Sequence, residues 1–434
     1  MDSSANNVNK HFLGHVVACS ESSGVEASED ILASNGLKLL ARGAKVDARV
    51  RERLLEYKLK KPLETMLRVV DGVGTRHIDR VAEQLMERHP LLSRICGAAT
   101  ARLLTTALRN IALSTEVDSL LSVYAARGPA KLNHAVGTAL LAAALARELP
   151  TPLDGGTLLL AGLVHDTGEL YIDPAYLAPD ARLSVAEWKH IATHPIVGSR
   201  VLSTMPGAGA EVARAVLHHH ERQDGFGYPA GLRADAVSMP GQVLAMAELL
   251  MGLMESGSHH AQRANVALKL VPGEFNRALL DRVVTASREL AAQELPDDVA
   301  SAIAEMVRDV GTLRARFDNV DEVKALLSDE RRQPGAGAFG ELVGLAVERW
   351  ERIRVALSST GLDSLPPAGL EQALASMSAA ARLEMSIVVR ELRWRLGELE
   401  RQATIRAERL GEAEARKMRR IVETARSEKS LAAA

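Results

Sequence analysis

Three consecutive histidines run into two acidic residues and a glycine-punctuated loop in HHHERQDGFGYP, His218 to Pro229. Imidazole nitrogens beside carboxylates suit a divalent transition metal such as iron, manganese or zinc. The same residue types recur upstream. LLLAGLVHDTGEL (158–170) ends an apolar run in the adjacent pair His165 and Asp166. An isolated buried carboxylate is costly, so Asp166 needs a partner. A divalent ion is one such partner, because a carboxylate can bridge two ions; a His–Asp pair capping a helix end is the other reading. LSVAEWKHIATHPIVGSRVL carries His190 and His194, and LNHAVGTALLAAALA carries His134 among small and apolar residues. Nine of the thirteen histidines lie between His134 and His260, a concentration that the rest of the chain does not share.

The elements that must position these side chains are helices. The run before His165 is apolar on every side, as in a helix buried all round, which puts His165 and Asp166 at the edge of the core. Ser184 followed by Glu187 is a capping-box start, so His190 and His194 are expected on one helical face. Pro195 then opens the next helix at a favoured first position. GAEVARAVLHHHE is helical and delivers His218, His219 and His220 to one end. Neighbours on a helix point about 100° apart, so two of the three can reach different ions while the third faces elsewhere.

Taken in order, His134, then His165-Asp166-Thr167-Gly168, then His194-Pro195-Ile196-Val197-Gly198, then His219-His220-Glu221-Arg222-Gln223-Asp224-Gly225-Phe226-Gly227-Tyr228-Pro229 resemble the signature of the HD-GYP family. This is a branch of the HD-domain metal-dependent phosphohydrolases. The match continues through Ala230-Gly231-Leu232, and the resemblance covers about residues 120–290. It implies an all-helical domain that holds two or three iron or manganese ions and hydrolyses cyclic di-GMP with a metal-activated water. It also implies that Asp166 bridges the metals, that His134 and His165 serve one ion, and that His194, His219 and His220 serve the others. Glu248 stands where the family has a later ligand aspartate. Asp224 would join Asp166 in catalysis by orienting a ligand histidine or the leaving group. Gly227, Tyr228 and Pro229 would shape the substrate pocket, and His218 would stand outside the ligand set.

The departures from that pattern shape the expectation. The lysine of the family's HD-x-G-K is Glu169 here, which puts an anion where substrate phosphates would lie and predicts repulsion. An arginine of the later helix is Gln242. Ala130 stands four residues before His134, where trinuclear members carry a glutamate, so two ions are expected. The basic segment after the last ligand is reduced to SHHAQRANVALK, leaving Arg263 and Lys269 as phosphate contacts. Two other functions therefore stay open. One is a degenerate module that keeps the fold and acts as a signalling or interaction protein; the other is a phosphohydrolase of a different nucleotide.

The 434 residues are 47% apolar and 3% aromatic, and Ala, Leu, Val, Arg and Glu abound, which leans towards helix. The expected fold is mainly all-α: an HD-domain helical bundle with a small N-terminal α+β module and a helical C-terminal region. The expected divisions are an N-terminal module (1–62), a helical connector (63–120), the HD-GYP-like domain (121–292), a helical region (293–368) and a long C-terminal helix (369–434). Gly/Pro-rich breaks fall at 333–340 and 359–369. Val388, Leu392, Leu396 and Leu399 form one apolar stripe in the tail, read as a long solvated helix or a dimerising coiled coil. That leaves protein partners and a homodimer as expectations for the C-terminal helices. A formal net charge of -2 gives no electrostatic case for nucleic acid or an anionic membrane surface. The start MDSSANNVNKHF lacks signal-peptide regions, and the longest apolar run is well short of the ~20 residues a bilayer span needs. With only Cys19 and Cys96 available, a reducing cytoplasm is expected.

Overall fold

The structure is a computed structural model that describes residues 7–147, 149–151, 153–178, 180–293, 303–319 and 337–426. The first half of the Gly/Pro break at 333–340 lies outside the described residues. Helices dominate, and the described residues fall into two compact units. Of the described residues, the first unit takes those within 7–221, 228–230 and 235–256; the second takes those within 222–227, 231–234 and 257–426. That division runs through the segment 121–292.

The first unit opens with helix α1 (Lys10–Ser23), whose start is capped by the Asn9 side chain accepting from the His11 and Phe12 amides. Strands β1 (Val25–Ala27), β2 (Ile31–Leu32) and β3 (Lys38–Leu40), helix α2 (Ala48–Glu56) and strand β4 (Leu67–Val69) follow. β1 pairs antiparallel with β4, Val25 opposite Val69, and β2 pairs with β3. This is the small α+β module. The strand β4 corrects the helical reading of the chain from Pro62 onward. Three residues are too few to show an alternating pattern, and the partner strand lies far upstream in sequence.

Helices α3 (Gly74–Arg88), α4 (Pro90–Cys96), α5 (Ala98–Arg109), α6 (Thr115–Ala125), α7 (Pro129–Ala146) and α8 (Gly155–Val164) come next. After them come α9 (Val185–Ile191), α10 (His194–Thr204), α11 (Gly209–His218) and α12 (Met239–Glu255). α3 buries Ile78, Val81 and Leu85, the residues its spacing places on one face. α7 is buried from Ala135 to Ala146 and α8 from Leu158 to Val164, so the two form the centre of the bundle. Their backbones touch: a methyl group at Gly162 would collide with the Cα of Ala139. α12 presses on α7 at Gly137, where a methyl would collide with the Met251 sulfur. Each fully buried leucine here contributes roughly 1.5–3 kcal/mol, which fixes the helix ends that carry the site.

The second unit contains α13 (His260–Ala267), α14 (Arg277–Ala291), α15 (Ile303–Asp318), α16 (Gly337–Ser358), α17 (Pro367–Ser376), α18 (Ala379–Leu410) and α19 (Glu412–Arg426). Its core joins Phe226, Trp350 and Phe317 to Val388, Leu392, Leu396 and Leu399. The apolar stripe of the tail is therefore consumed inside the unit. It faces neither solvent, as in a solvated helix, nor a second copy, as in a coiled coil. The helix also stops at Leu410, where Gly411 turns the chain (φ +152°) and α19 folds back onto α18 through Ala403, Ala407, Met418 and Ile421. Among the described residues no helix is long and apolar enough to cross a membrane.

Candidate metal centre

The histidines of the first unit's site arrive at or near helix ends. His134 lies one turn into α7, His165 follows the last residue of α8, His194 opens α10, and His219 follows the last residue of α11. Asp166 has φ −96° and ψ 4°, the sparsely populated region where many active-site residues sit. Glu248 comes from the middle of α12. His190 does not join them: α9 ends at Ile191, and the imidazole rests near the Tyr176 ring, centroids 5.7 Å apart. The shared helical face expected for His190 and His194 is lost because the chain starts a new helix at His194.

The glycines of the motif follow from close packing. A methyl at Gly168 would collide with the carbonyl of His194 and stand 2.8 Å from the Gly198 amide nitrogen. The glycines after His165-Asp166 and after His194-Pro195 thus let the turn at 167–171 sit directly on α10. Only then do Asp166 and His194 come within reach of each other.

The ligating atoms form two groups. Asp166, His194, His219 and His220 offer atoms within 4.8 Å of one another, and so do His134, His165 and Glu248. Asp166 divides its oxygens between them. Oδ1 lies 3.3 Å from His194 Nε2 and 3.6 Å from His219 Nε2, while Oδ2 lies 3.4 Å from His165 Nε2 and 4.0 Å from His134 Nε2. Glu248 Oε2 is 2.7 Å from His134 Nε2 and 3.0 Å from His165 Nε2, so the extra methylene still reaches both rings. Gln242, the other departure on this helix, donates to the Val237 carbonyl at 2.8 Å and plays no part in the cluster.

The histidine tautomers are set by the backbone. The Nδ1–H groups of His165, His194 and His219 donate to the carbonyls of Gly162, Ile191 and Val216 at 2.7, 2.8 and 2.5 Å. Their Nε2 lone pairs therefore point inward. Those of His194 and His219 face each other at 3.0 Å. Two lone pairs at that distance repel unless a cation, either a proton or a metal ion, sits between them. His165 Nε2 is buried with carboxylate oxygens of Glu248 and Asp166 at 3.0 and 3.4 Å, neither at a good hydrogen-bond angle. Mixed imidazole and carboxylate donors with inward lone pairs fit a divalent transition metal, so the chain holds a metal-binding cluster.

The electrostatics agree. Burial opposes a charge on His165, but Asp166 and Glu248 outweigh it and hold its pKa at about 10. Burial pushes His219 down to about 4, leaving it neutral and ready to ligate. Burial raises the carboxyls of Asp166 and Glu248, yet the neighbouring histidines hold both well below the ordinary range. Protons and a metal ion compete for the same lone pairs.

The loop residues divide between the units. Tyr228 is in the first, stacked on the His220 ring with centroids 4.5 Å apart, and its amide donates to the His220 carbonyl at 3.0 Å. Its peptide bond to Pro229 is cis, and the next amide, of Ala230, donates to Glu221 Oε1 at 2.7 Å. His218 accepts from the Ser238 amide at 3.1 Å, outside the ligand set. Asp224 lies in the second unit, where its carboxylate takes the Arg349 guanidinium and the Phe226 amide. Gly227, in the same unit, accepts from Arg406 at 2.6 Å. Arg263 is buried on α13, and Lys269 donates to Asn265 at 2.7 Å on the wall of a cavity of about 550 Å³.

Three contacts of the centre escape the sequence patterns. Tyr124 donates to Asp166 Oδ2 at 3.4 Å. Arg127 and Lys131 each reach Glu169 Oε2 at 2.7 Å. This corrects the expected repulsion: the Glu169 carboxylate is already neutralised by two cations. Finally, Glu255 takes His134 Nδ1 at 2.8 Å and fixes that ring. Glu255 is two turns beyond Glu248 on α12, a spacing that would have found it. Removing it as Glu255→Ala is expected to weaken metal binding roughly 10–100-fold, as for other carboxylates behind a ligand histidine. Competition with a chelator measures this; an unchanged stripping curve would show that His134 needs no support from Glu255.

A family model described as HD domain matches residues 115–284. A cyclic di-GMP phosphodiesterase of Pseudomonas aeruginosa is 38% identical over 120 residues, 27% of this chain and 28% of the relative. A 3'3'-cGAMP-specific phosphodiesterase of Vibrio cholerae is 29% identical over 165 residues, 38% of each chain. The matched segment thus spans well under half the length of these relatives. Among solved structures, an HDG"Y"P protein from Bdellovibrio bacteriovorus aligns with 66% of this chain and 98% of its own at 15% identity, with a TM-score of 0.34. The class defined by the site and the matches is a helical HD domain built around a metal-binding cluster. Within that class, the segment is similar to parts of cyclic di-GMP and 3'3'-cGAMP phosphodiesterases.

Proposed function

We propose that the chain is a phosphodiesterase that hydrolyses cyclic di-GMP at a centre of two iron or manganese ions. The observation that carries this reading is the division of Asp166, with one oxygen turned to each ligand group. A pair of divalent ions supplies charge against the developing negative phosphate and an acidified water for in-line attack. His134, His165 and Glu248 would hold one ion, His194, His219 and His220 the other, and Asp166 would join them. The Nδ1 bonds to backbone carbonyls keep the rings from turning as charge develops, and Tyr124 steadies the Asp166 oxygen shared with the first group. Tyr228, stacked on His220, gives the pocket an aromatic wall. Hydrolysis breaks one P–O bond of the ring and leaves a phosphate monoester and a hydroxyl.

A partner-binding module without catalysis rests on two grounds, Glu169 as an uncompensated anion and the thinned basic segment; the pairing with Arg127 and Lys131 removes the first. A cytoplasmic setting fits the two free, buried cysteines. Metal analysis beside hydrolysis assays of cyclic di-GMP and 3'3'-cGAMP, with manganese or ferrous iron, tests the reading. About two ions per chain and turnover of cyclic di-GMP are expected. A fully loaded protein that cleaves neither would overturn it.

A further inference from the structure

The charges around Glu169 do not cancel. Arg127 and Lys131 share its Oε2, so two cations against one carboxylate leave the trio at +1. Arg127 and Glu169 are largely buried, each side chain 12% exposed, whereas Lys131 is 32% exposed. The ammonium is the open member. Tyr124 ties the trio to the centre: its hydroxyl reaches Asp166, and its ring centroid lies 5.6 Å from both Lys131 Nζ and the Arg127 guanidinium carbon. Lys131 also precedes His134 by three residues on α7, which puts the two on one face of the helix. A half-open cation, held by a buried carboxylate, therefore stands beside the metal-binding cluster with unspent positive charge.

We propose that Lys131 is the phosphate-binding cation of this site, taking a non-bridging phosphate oxygen of the cyclic dinucleotide, while Glu169 holds it in place and Arg127 offsets the carboxylate. The inference rests on the phosphodiesterase reading for its substrate but not for its anion. A trio that merely fastened the 167–171 turn to α7 would affect folding and leave anion binding alone.

The test compares wild type, Lys131→Met and Lys131→Arg, all manganese-loaded. Lys131→Met should keep its metal and its kcat while KM for cyclic di-GMP rises on the order of tenfold to a hundredfold, the range for a lost charged hydrogen bond. The wild-type KM should climb with salt more steeply than that of Lys131→Met, and Lys131→Arg should restore most of the affinity. Equal KM values in wild type and Lys131→Met would overturn the assignment. If wild type turns over no cyclic dinucleotide, the phosphodiesterase reading falls, and equilibrium binding of inorganic phosphate decides the inference. Weaker phosphate binding in Lys131→Met sustains it, and equal binding overturns it.

Discussion

Asp166→Ala is expected to strip the metal and reduce phosphodiester hydrolysis by on the order of 10³-fold or more, beyond the 10²–10³ lost with a single oxyanion donor. Among the described residues Asp166 is the one carboxylate whose two oxygens face both ligand groups, between 3.3 and 4.0 Å from four imidazole nitrogens. No neighbouring side chain duplicates that reach; Glu248 addresses only His134 and His165. The loss should also appear as stability. An ion present at a hundred times its Kd adds about 2.7 kcal/mol to the folded state, so manganese should raise the melting temperature of wild type and leave Asp166→Ala unmoved. Metal content equal to wild type in the variant would rule out the bridging role, whatever the activity.

In the second unit, Arg395→Met should cost about 3–5 kcal/mol, the range for breaking a buried ion pair from one side. Arg395 is fully buried. It donates to Glu274 at 3.1 Å, to Glu391 at 2.8 Å and to the Ala267 carbonyl at 2.6 Å. Methionine fills similar space but takes the guanidinium from Glu391 and leaves Glu274 with Arg349 and Arg222 as its cations. Burial raises the Glu274 carboxyl, but Arg395, Arg349 and Arg222 hold it below its ordinary 4.5. Its contribution is therefore complete above the unfolded value and is lost as pH falls through the lower folded one. Urea unfolding of the two proteins at neutral pH measures the difference, and acidification should narrow it. A loss under about 1 kcal/mol would mean that the network adds specificity without stability.

The site was legible because its information is local. A histidine near a helix start, an HD pair closing an all-apolar helix, and glycines three residues after His165 and four after His194 are short-range patterns, and their order along the chain carries the resemblance. The capping box at Ser184 forms with both of its bonds, because capping needs only four consecutive residues. Where local signals ended, the reading failed. The sequence reads Leu67–Val69 as part of a helical connector and the tail's stripe as facing solvent or a second copy, because periodicity tells which face is apolar and not what covers it.

Glu169 shows the limit most clearly. In sequence it is an acid in place of a lysine, and a lone acid beside phosphates repels. In the folded chain, α7 brings Arg127 and Lys131 onto the same oxygen, and the sign of the local charge reverses. Asp224 likewise reads in sequence as a lone carboxylate, and only the fold pairs it with Arg349 on α16. Spacing within a few turns was enough to mark which histidines and acids converge and that helices carry them. Only the tertiary structure decided which charges meet, because Coulomb energy depends on distance in space, and that distance is set by which helix faces pack together.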